Sequence, residues 1–176
     1  AVTQGVHAML AQPPAVGTTV IAPQQSKARI ALENLPMDAD ATAGTTYLAG
    51  QPTAYWLTPE QDPIGTVGAT VLDLIAQARD QNRATAMVVY GLPDRDCGNH
   101  SAGGLSPADY PRWVAEIGKA LKTAPDQQKI IVLEPDSIAL TSECGDVATR
   151  AGFLSGAVDA LSSTATWIYI DGGHSA

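Results

Sequence analysis

Four short apolar runs alternate along the chain with three longer segments in which apolar residues recur at helical spacing. The cores of three runs, AMVVY, IIVL and WIYI, are continuously apolar, which is typical of parallel strands covered on both faces. The predicted strands are 53–57, 85–92, 129–134 and 166–171.

The order of strands and helices predicts right-handed βαβ crossovers and an α/β fold with a parallel sheet. The helical segments are 66–81, 107–122 and 146–161, and the second begins with Ser106 as N-cap and Pro107 in its first turn. Residues 1–46 are rich in Ala, Pro, Thr and Gln, with one amphipathic segment at 24–35. We interpret this part as an N-terminal arm of loops around one helix.

Composition limits the possible partners. The chain has 176 residues, 45% of them apolar, which suits one domain with its own core. A net charge of −8 argues against nucleic acid and against an anionic membrane surface, because phosphate contacts need clustered Lys and Arg. No apolar run reaches the roughly 18 residues of a membrane span. The opening, AVTQGVHAML, carries no basic leader, so we expect a signal peptide to be removed or never present.

Acidic residues follow three of the predicted strands, in the segments GLPDRDCGNHSAGG, EPDS and DGGHS. In parallel sheets and barrels, ligands bind at the carboxyl ends of the strands. These segments are therefore expected to form an acidic rim at one edge of the sheet. Its side chains are Asp94, Asp96, Glu134, Asp136 and Asp171, with Arg95 beside them.

Crowded carboxylates repel one another, so we expect at least one to be pushed toward its protonated form while others stay ionised. A proton-donating acid beside ionised acids is what cleavage of an acetal requires. A metal site is the competing chemistry, since hard oxygen ligands suit magnesium or calcium. The sequence contains neither a phosphate-binding glycine loop nor a nucleophile elbow.

The two cysteines, Cys97 and Cys144, leave two interpretations open. In an extracellular protein they suggest a disulfide, whereas in a cytosolic protein they suggest two free thiols. Their spacing excludes a CxxC redox or zinc motif.

The strand-end segments resemble glycoside hydrolase family 6, the cellobiohydrolases and endoglucanases that act on β-1,4-glucan. VVYGLPDRDCG at 88–98 is similar to the first signature of that family, IIVLEPDSI at 130–138 to the second, and YIDGGHS at 169–175 to a third segment. The resemblance covers about 47–176 and implies the N-terminal portion of a catalytic domain, following an arm at 1–46. The implied fold class is α/β, a partial (truncated) distorted seven-stranded parallel β/α barrel of the cellulase type.

The resemblance also implies a role for each matched side chain. Asp136 falls at the general acid that protonates the departing glycosidic oxygen. Asp96 falls at the carboxylate that raises the pKa of this acid and helps to stabilise the oxocarbenium-like transition state. The implied substrate-binding residues are Tyr90 near the distorted sugar ring, Trp56 stacked on a sugar two subsites away, and Asp171.

The same resemblance pairs Cys97 with Cys144 as a disulfide that pins the loop after the second strand to the segment after EPD. Hydrolysis in the family inverts the anomeric configuration, without a cofactor, and such a mechanism leaves about 6.5–9.5 Å between acid and base. We therefore expect a secreted β-1,4-glucanase whose partner is cellulose, a related β-glucan or a cello-oligosaccharide.

Two departures from the family change this expectation. The serine usually found five residues after the cysteine is Ala102 here, with Ser101 one place earlier. The family's domain also continues beyond the third segment, where the proposed catalytic base lies, and no residue of this chain is assigned to that base. Impaired activity or a separate chain supplying the missing half is therefore expected. The alternative is a non-catalytic glucan-binding remnant or one half of a split cellulase.

Structural roles are predicted for several other residues. We expect Glu134 to accept backbone hydrogen bonds and hold the Pro135 turn, and Asp94 to be exposed. Simple core packing is the alternative for Trp56. Packing is also expected of Trp113 and Trp167, surface positions of His7 and His100, and a hydrogen-bonding role of His174.

Overall fold

The computed structural model describes residues 13–34 and 36–173; His7 and His174 lie outside this range. Its strands are β1 (Tyr55–Leu57), β2 (Thr85–Val89), β3 (Lys129–Leu133) and β4 (Thr166–Ile170). Its α-helices are α1 (Lys27–Asn34), α2 (Ala39–Ala49), α3 (Val67–Asp80), α4 (Tyr110–Lys122) and α5 (Val147–Leu161). The strands form one sheet in the order β1-β2-β3-β4, and all three pairings are parallel. The predicted α/β fold with four parallel strands is confirmed.

The helices α3, α4 and α5 pack on one face of the sheet. Each crossover advances the chain by one strand in the same direction, so the right-handed connections place these helices on the same side. Helix α4 lies in the middle and contacts both α3 and α5. The core consists of sheet residues and helix residues that are buried together, among them Met87, Val89, Ile131, Leu133, Leu74, Trp113, Ile117 and Leu161.

The opposite face of the sheet is less covered in the described part of the chain. Trp56, Val88, Val132 and Tyr169 align across the four strands on this face. Trp56 and Tyr169 at the outer strands are each 48% exposed, whereas every residue of β2 is buried. Coverage on both faces was therefore the right prediction for β2 and the wrong one for β4, because all three crossover helices lie on the same side. Strand β3 is intermediate, since every second residue is only partly buried.

The N-terminal arm contains a second helix that the sequence pattern did not predict. Helix α2 begins after Asp38, whose carboxylate accepts a hydrogen bond from the Ala41 N–H at 2.8 Å. Its sequence, ADATAGTTYLA, has no apolar stripe, and Ala49 is its only buried residue. Helix formation here therefore depends on the cap and on the propensity of alanine rather than on an amphipathic face.

The arm is attached to the sheet through Ile21, which is fully buried. The Ile21 N–H donates to the Ala84 carbonyl at 3.1 Å, and the Ile21 carbonyl accepts from the Thr53 N–H at 3.1 Å. These bonds join the segment before α1 to the starts of β1 and β2. The arm is thus part of the folded unit at the amino edge of the sheet.

Helix α4 begins three residues later than its predicted first residue. Asp109 is the N-cap, and Pro111 lies in the first turn. Ser106 nevertheless contributes to the start of this helix, because its hydroxyl accepts a hydrogen bond from the backbone N–H of Asp109 at 3.1 Å. Trp113 on this helix is fully buried, which confirms its predicted packing role.

The close approach of α4 and α5 leads to a stability prediction. A Cβ at Gly118 would lie 2.2 Å from the Ala160 carbonyl oxygen, so the two helices would have to separate. We expect Gly118→Ala to lower the free energy of unfolding by about 1–3 kcal/mol, in spite of the better helix propensity of alanine. Urea denaturation followed by circular dichroism measures the change.

Gly152→Ala is the matched control, because nothing lies within 4 Å of a Cβ at that position in α5. It should raise the free energy of unfolding by about 1 kcal/mol. A Gly118→Ala variant as stable as the wild type would contradict the close packing of the two helices.

Candidate active site

The parallel sheet brings the predicted acids to one edge, and two of them are directly linked. Asp136 follows β3 and Asp171 follows β4. The Asp136 N–H donates to Oδ2 of Asp171 at 2.8 Å, and the Gly173 N–H donates to the same oxygen at 3.1 Å. Asp171 therefore holds the backbone at Asp136 in place, in addition to presenting a carboxylate at this edge.

Tyr90 lies at the centre of the candidate site. It is 7% exposed, and the edge of its ring meets Trp56 with the centroids 5.4 Å apart at 90°. Burial raises the pKa of Tyr90, and the negative charges of Asp96 and Asp136 contribute to the same shift. Trp56 is 48% exposed, so its interpretation as a simple core residue is wrong.

Arg95 is a buried anchor rather than a surface residue of a solvated turn. It is 8% exposed, and its Nε and Nη1 atoms donate to the Ser101 and Tyr90 carbonyls at 2.8 and 2.9 Å. Its ion-pair partner is Glu60, from the segment after β1, at 3.0 Å. Partial burial opposes ionisation of Glu60, but the hydrogen bond from Arg95, the hydrogen bonds from its own backbone and from Thr58, and the positive charge of Arg95 together outweigh burial and lower the pKa of Glu60.

Glu134 is fully buried and accepts backbone hydrogen bonds, as predicted. Its donors are the N–H groups of Gly91, at 3.0 and 3.1 Å from the two oxygens, and of Leu92, at 3.1 Å. These donors belong to the segment after β2. Burial raises the pKa of Glu134 to about 7, against the opposing effect of these hydrogen bonds. One carboxyl is therefore pushed toward its protonated form, and burial rather than crowding is the main cause.

The loop that carries Asp96 is closed on itself. Oδ2 of Asp96 accepts the Ser101 N–H at 2.6 Å, and Arg95 forms an antiparallel bridge with Gly103. Ala102, at the position where a serine was expected, is exposed. Asp94 and His100 are exposed as predicted, while Trp167 is only partly buried and meets Tyr169 edge-on at 6.2 Å.

The turns after β2 and β3 have unusual backbone geometry. Of the six non-glycine residues with positive φ in the described part, five lie in these turns. They are Asp94, Asp96, Cys97, Glu134 and Asp136, with φ between 47° and 63°. Left-handed non-glycine residues cost about 1–3 kcal/mol each and persist only where the surroundings determine them, so the acids are held in place at a cost in stability.

The predicted disulfide between Cys97 and Cys144 is present, with the Cα atoms 5.5 Å apart. It joins the loop after β2 to the segment after β3. A cavity of about 370 Å³ adjoins it, lined by Asp94, Arg95, Cys97, Gly98, Ala102, Gly103 and Cys144. A larger cavity of about 520 Å³ lies at the amino ends of the strands, around Arg79 and Gln128, and is remote from the acids.

Two observations concern other functional classes. Within residues 13–34 and 36–173, no group of three or more His, Cys, Asp and Glu side chains is arranged to hold a metal ion. In that same part of the chain, no helix combines the length and the apolar character that crossing a membrane demands.

Sequence reasoning missed the contributions of Arg95 and Glu60 to this edge. The segment after β1, TPEQD, carries an acid in the same place as the segments after β2, β3 and β4. The expectation that functional residues directly follow the parallel strands would also have identified Glu60, had it been applied to β1. Burial of Arg95 had no local signal, because its ion-pair partner Glu60 lies on a separate segment of the chain.

The fold and the strand ends define an α/β protein with an acidic site at the carboxyl edge of a parallel sheet. The model of the glycosyl hydrolases family 6 matches residues 16–176. The chain belongs to this family.

Two curated relatives are endoglucanases. Endoglucanase A of Cellulomonas fimi is 37% identical over 127 residues, covering 72% of this chain and 27% of the relative. Endoglucanase 1 of Streptomyces sp. (strain KSM-9) is 34% identical over 151 residues, covering 82% of this chain and 41% of the relative. The chain thus spans less than half the length of either relative.

Solved structures show the same similarity. The endoglucanase Cel6 from Mycobacterium tuberculosis, in complex with methyl-cellobiosyl-4-deoxy-4-thio-β-D-cellobioside, has a TM-score of 0.78 and 29% identity. The match covers 91% of this chain and 54% of that one. A mutant of the cellobiohydrolase Cel6A from Humicola insolens has a TM-score of 0.74 at 25% identity, covering 95% and 51%.

The disulfide leads to a second prediction. It closes a sequence separation of 47 residues, for which loop-closure entropy gives a stabilisation of roughly 4 kcal/mol. We expect the double variant Cys97→Ser/Cys144→Ser to lose about 2–4 kcal/mol of unfolding free energy in urea. Wild type under a reducing thiol is the control and should match the variant. A loss below about 1 kcal/mol in both would show that this bond constrains little.

A third prediction concerns pH. Because the pKa of Glu134 is raised to about 7 from an ordinary value of about 4.3, the folded state binds this proton more tightly than the unfolded state. Its contribution to stability is present below pH about 4 and is lost as the pH rises through about 7. Relative to Glu134→Gln, the wild type should therefore lose roughly 3 kcal/mol between pH 4 and 8.

Urea denaturation of wild type and variant at several pH values measures this difference, since the other carboxyl groups titrate equally in both proteins. Parallel stability curves for the two proteins would contradict the assignment of the raised pKa to Glu134.

Proposed function

We propose that this chain forms part of an active site that hydrolyses β-1,4-glucosidic bonds in cellulose or a related β-glucan. The observation that carries the proposal is the placement of Tyr90, Asp96 and Asp136 after the neighbouring parallel strands β2 and β3, beside a tryptophan that is half-exposed. The Asp136 backbone is also hydrogen-bonded to Asp171 after β4. Membership of the family and the names of its relatives support the same activity. The M. tuberculosis structure holds a cello-oligosaccharide analogue, which supports a glucan as substrate or partner.

In the proposed mechanism Asp136 is the general acid. Its proton passes to the glycosidic oxygen as the bond to the anomeric carbon breaks, and water attacks that carbon from the opposite face. Asp96 stabilises the positive charge that develops on the sugar ring. Attack from the opposite face inverts the configuration, so a β-linkage releases an α-anomer. No residue of this chain is assigned as the base, and no cofactor takes part.

The proposed substrate contacts are Tyr90, Trp56 and Asp171. A half-exposed tryptophan ring offers a flat apolar surface to a sugar, with the Tyr90 ring perpendicular to it. Asp171 is half-buried and already accepts two backbone N–H groups on Oδ2. It would both support the acid and contact the sugar.

The full site is proposed to include strands in addition to β1–β4. Tyr169 and Ile170 on β4 are each 48% exposed, although Ile170 aligns with the buried Leu133. Further strands of a distorted seven-stranded barrel, from a following segment or a separate chain, would cover this edge. The portion 47–176 would then be the N-terminal part of the catalytic barrel and 1–46 its arm.

The alternative function is a non-catalytic glucan-binding remnant or one half of a split cellulase. Ala102, which stands where the family usually carries a serine, favours it. In either case the disulfide favours a secreted, extracellular protein, because such bonds persist in oxidising compartments.

The test is incubation of the oxidised chain with cellotetraose, followed by proton NMR. Wild type should release the α-anomer first, and Asp136→Asn should release product at least about a hundredfold more slowly, since general acid catalysis contributes about 10²–10⁴. Asp94→Asn is the matched control, because Asp94 is an exposed acid of the same loop, and it should retain activity.

If the chain is well folded and releases no product, its amide spectrum distinguishes the alternatives. Shifts induced by cellotetraose at Trp56 would favour the binding remnant. A well-folded chain with neither product nor induced shifts would contradict a functional glucan site in this chain alone.

A further inference from the structure

We propose that Glu134 and Arg95 are positioning residues that hold the Tyr90–Gly91 peptide unit from its two sides and thereby set the place of Tyr90 in the candidate site. The inference rests on the proposed function for its catalytic consequence, while its structural part stands on this arrangement alone.

The two polar groups of this peptide unit are bound by opposite charges. The Tyr90 carbonyl accepts a hydrogen bond from Nη1 of Arg95 at 2.9 Å. The Gly91 N–H donates to both carboxylate oxygens of Glu134, at 3.0 and 3.1 Å. Since a peptide unit is planar, fixing its carbonyl and its N–H fixes its orientation. The backbone direction at Tyr90 is therefore determined by two side chains.

The electrostatics of this arrangement are favourable. The N–H end of a peptide dipole is positive and its carbonyl end is negative, so the carboxylate and the guanidinium each face the complementary end. Glu134 is fully buried and Arg95 is 8% exposed, and charge-assisted hydrogen bonds are stronger than neutral ones, the more so away from water. The guanidinium also lies 4.7 Å from the centroid of the Tyr90 ring, so Arg95 contacts both the backbone and the ring.

Each of the two charges has a further anchor. Glu134 also accepts the Leu92 N–H at 3.1 Å, and Arg95 pairs with Glu60 after β1 at 3.0 Å. Strand ends of β1, β2 and β3 are thereby connected around one peptide unit. A displacement of any of these three strand ends would therefore displace Tyr90.

The groups that face Glu134 come from three elements. They are the Gly91 and Leu92 N–H groups after β2, Arg95 in the following loop, and the buried Tyr110 hydroxyl of α4. The Tyr110 hydroxyl makes no hydrogen bond of standard geometry with the described residues. When Glu134 takes up a proton, its O–H can turn toward this hydroxyl while its hold on the Gly91 and Leu92 amides weakens.

Amide NMR of the chain without substrate tests the structural part. In the wild type the Gly91 and Leu92 amide proton shifts should move together with pH, with a midpoint near that of Glu134, about 7. In Glu134→Gln this titration should disappear, and the Tyr90 and Trp56 ring shifts should change at every pH. A pH-independent Gly91 amide in the wild type, or an unchanged titration in the variant, would overturn the proposal.

Glu116→Gln is the matched control. Glu116 accepts two glycine N–H groups at the start of α3, from Gly65 at 2.8 Å and Gly68 at 3.1 Å. Its replacement should alter those amides and leave the Gly91 titration intact. If Glu134→Gln fails to fold, Glu134→Asp keeps the charge on a shorter side chain, and a titration of the Gly91 amide with reduced amplitude is expected.

The catalytic part is tested by separating kcat from KM on cellotetraose. A displacement on the order of 1 Å can cost about a hundredfold in rate, so kcat for Glu134→Gln should fall by about tenfold to a hundredfold with a smaller change in KM. Equal kcat in variant and wild type would overturn the positioning role. If the wild type releases no product, the proposed function fails, whereas the amide titration still decides the structural part.

Discussion

The burial of opposite charges at Arg95 and Glu134 is the interaction on which the carboxyl edge of the sheet depends. A charge removed from water costs several kcal/mol unless hydrogen bonds and an opposite charge compensate it. Here the compensation comes from backbone groups at the end of β2. Charge burial and loop conformation therefore require each other, and the loop that carries Asp96 cannot move without exposing or isolating one of the charges.

This arrangement lowers the stability of the folded protein at its candidate site. Ionised Glu134 is disfavoured by burial, and the adjoining acids Asp96 and Asp136 adopt left-handed backbone conformations. The disulfide from Cys97 and the bridge between Arg95 and Gly103 offset part of this by closing the loop. Stability given up where acids must be held in place is common at functional sites.

The same edge shows why a partial sheet can still carry a recognisable site. Sequential parallel strands place their carboxyl ends at one edge whatever the number of strands, so four strands suffice to bring Asp96, Asp136 and Asp171 to the same edge. The exposed face that carries Trp56 and Tyr169 is the side opposite the helices.

Strands β2, β3 and β4 and helices α3 to α5 were predictable from the sequence, because continuous apolar runs and helical periodicity are local patterns. Since parallel strands share one edge, the sequence also predicted where the acids meet. The burial of Arg95 and its pairing with Glu60, which is 35 residues away, could not be predicted in this way, because no local pattern encodes a contact between two loops. Helix α2 was not predicted either. It buries only Ala49, and a helix with almost no buried face has no periodic pattern of apolar residues in its sequence.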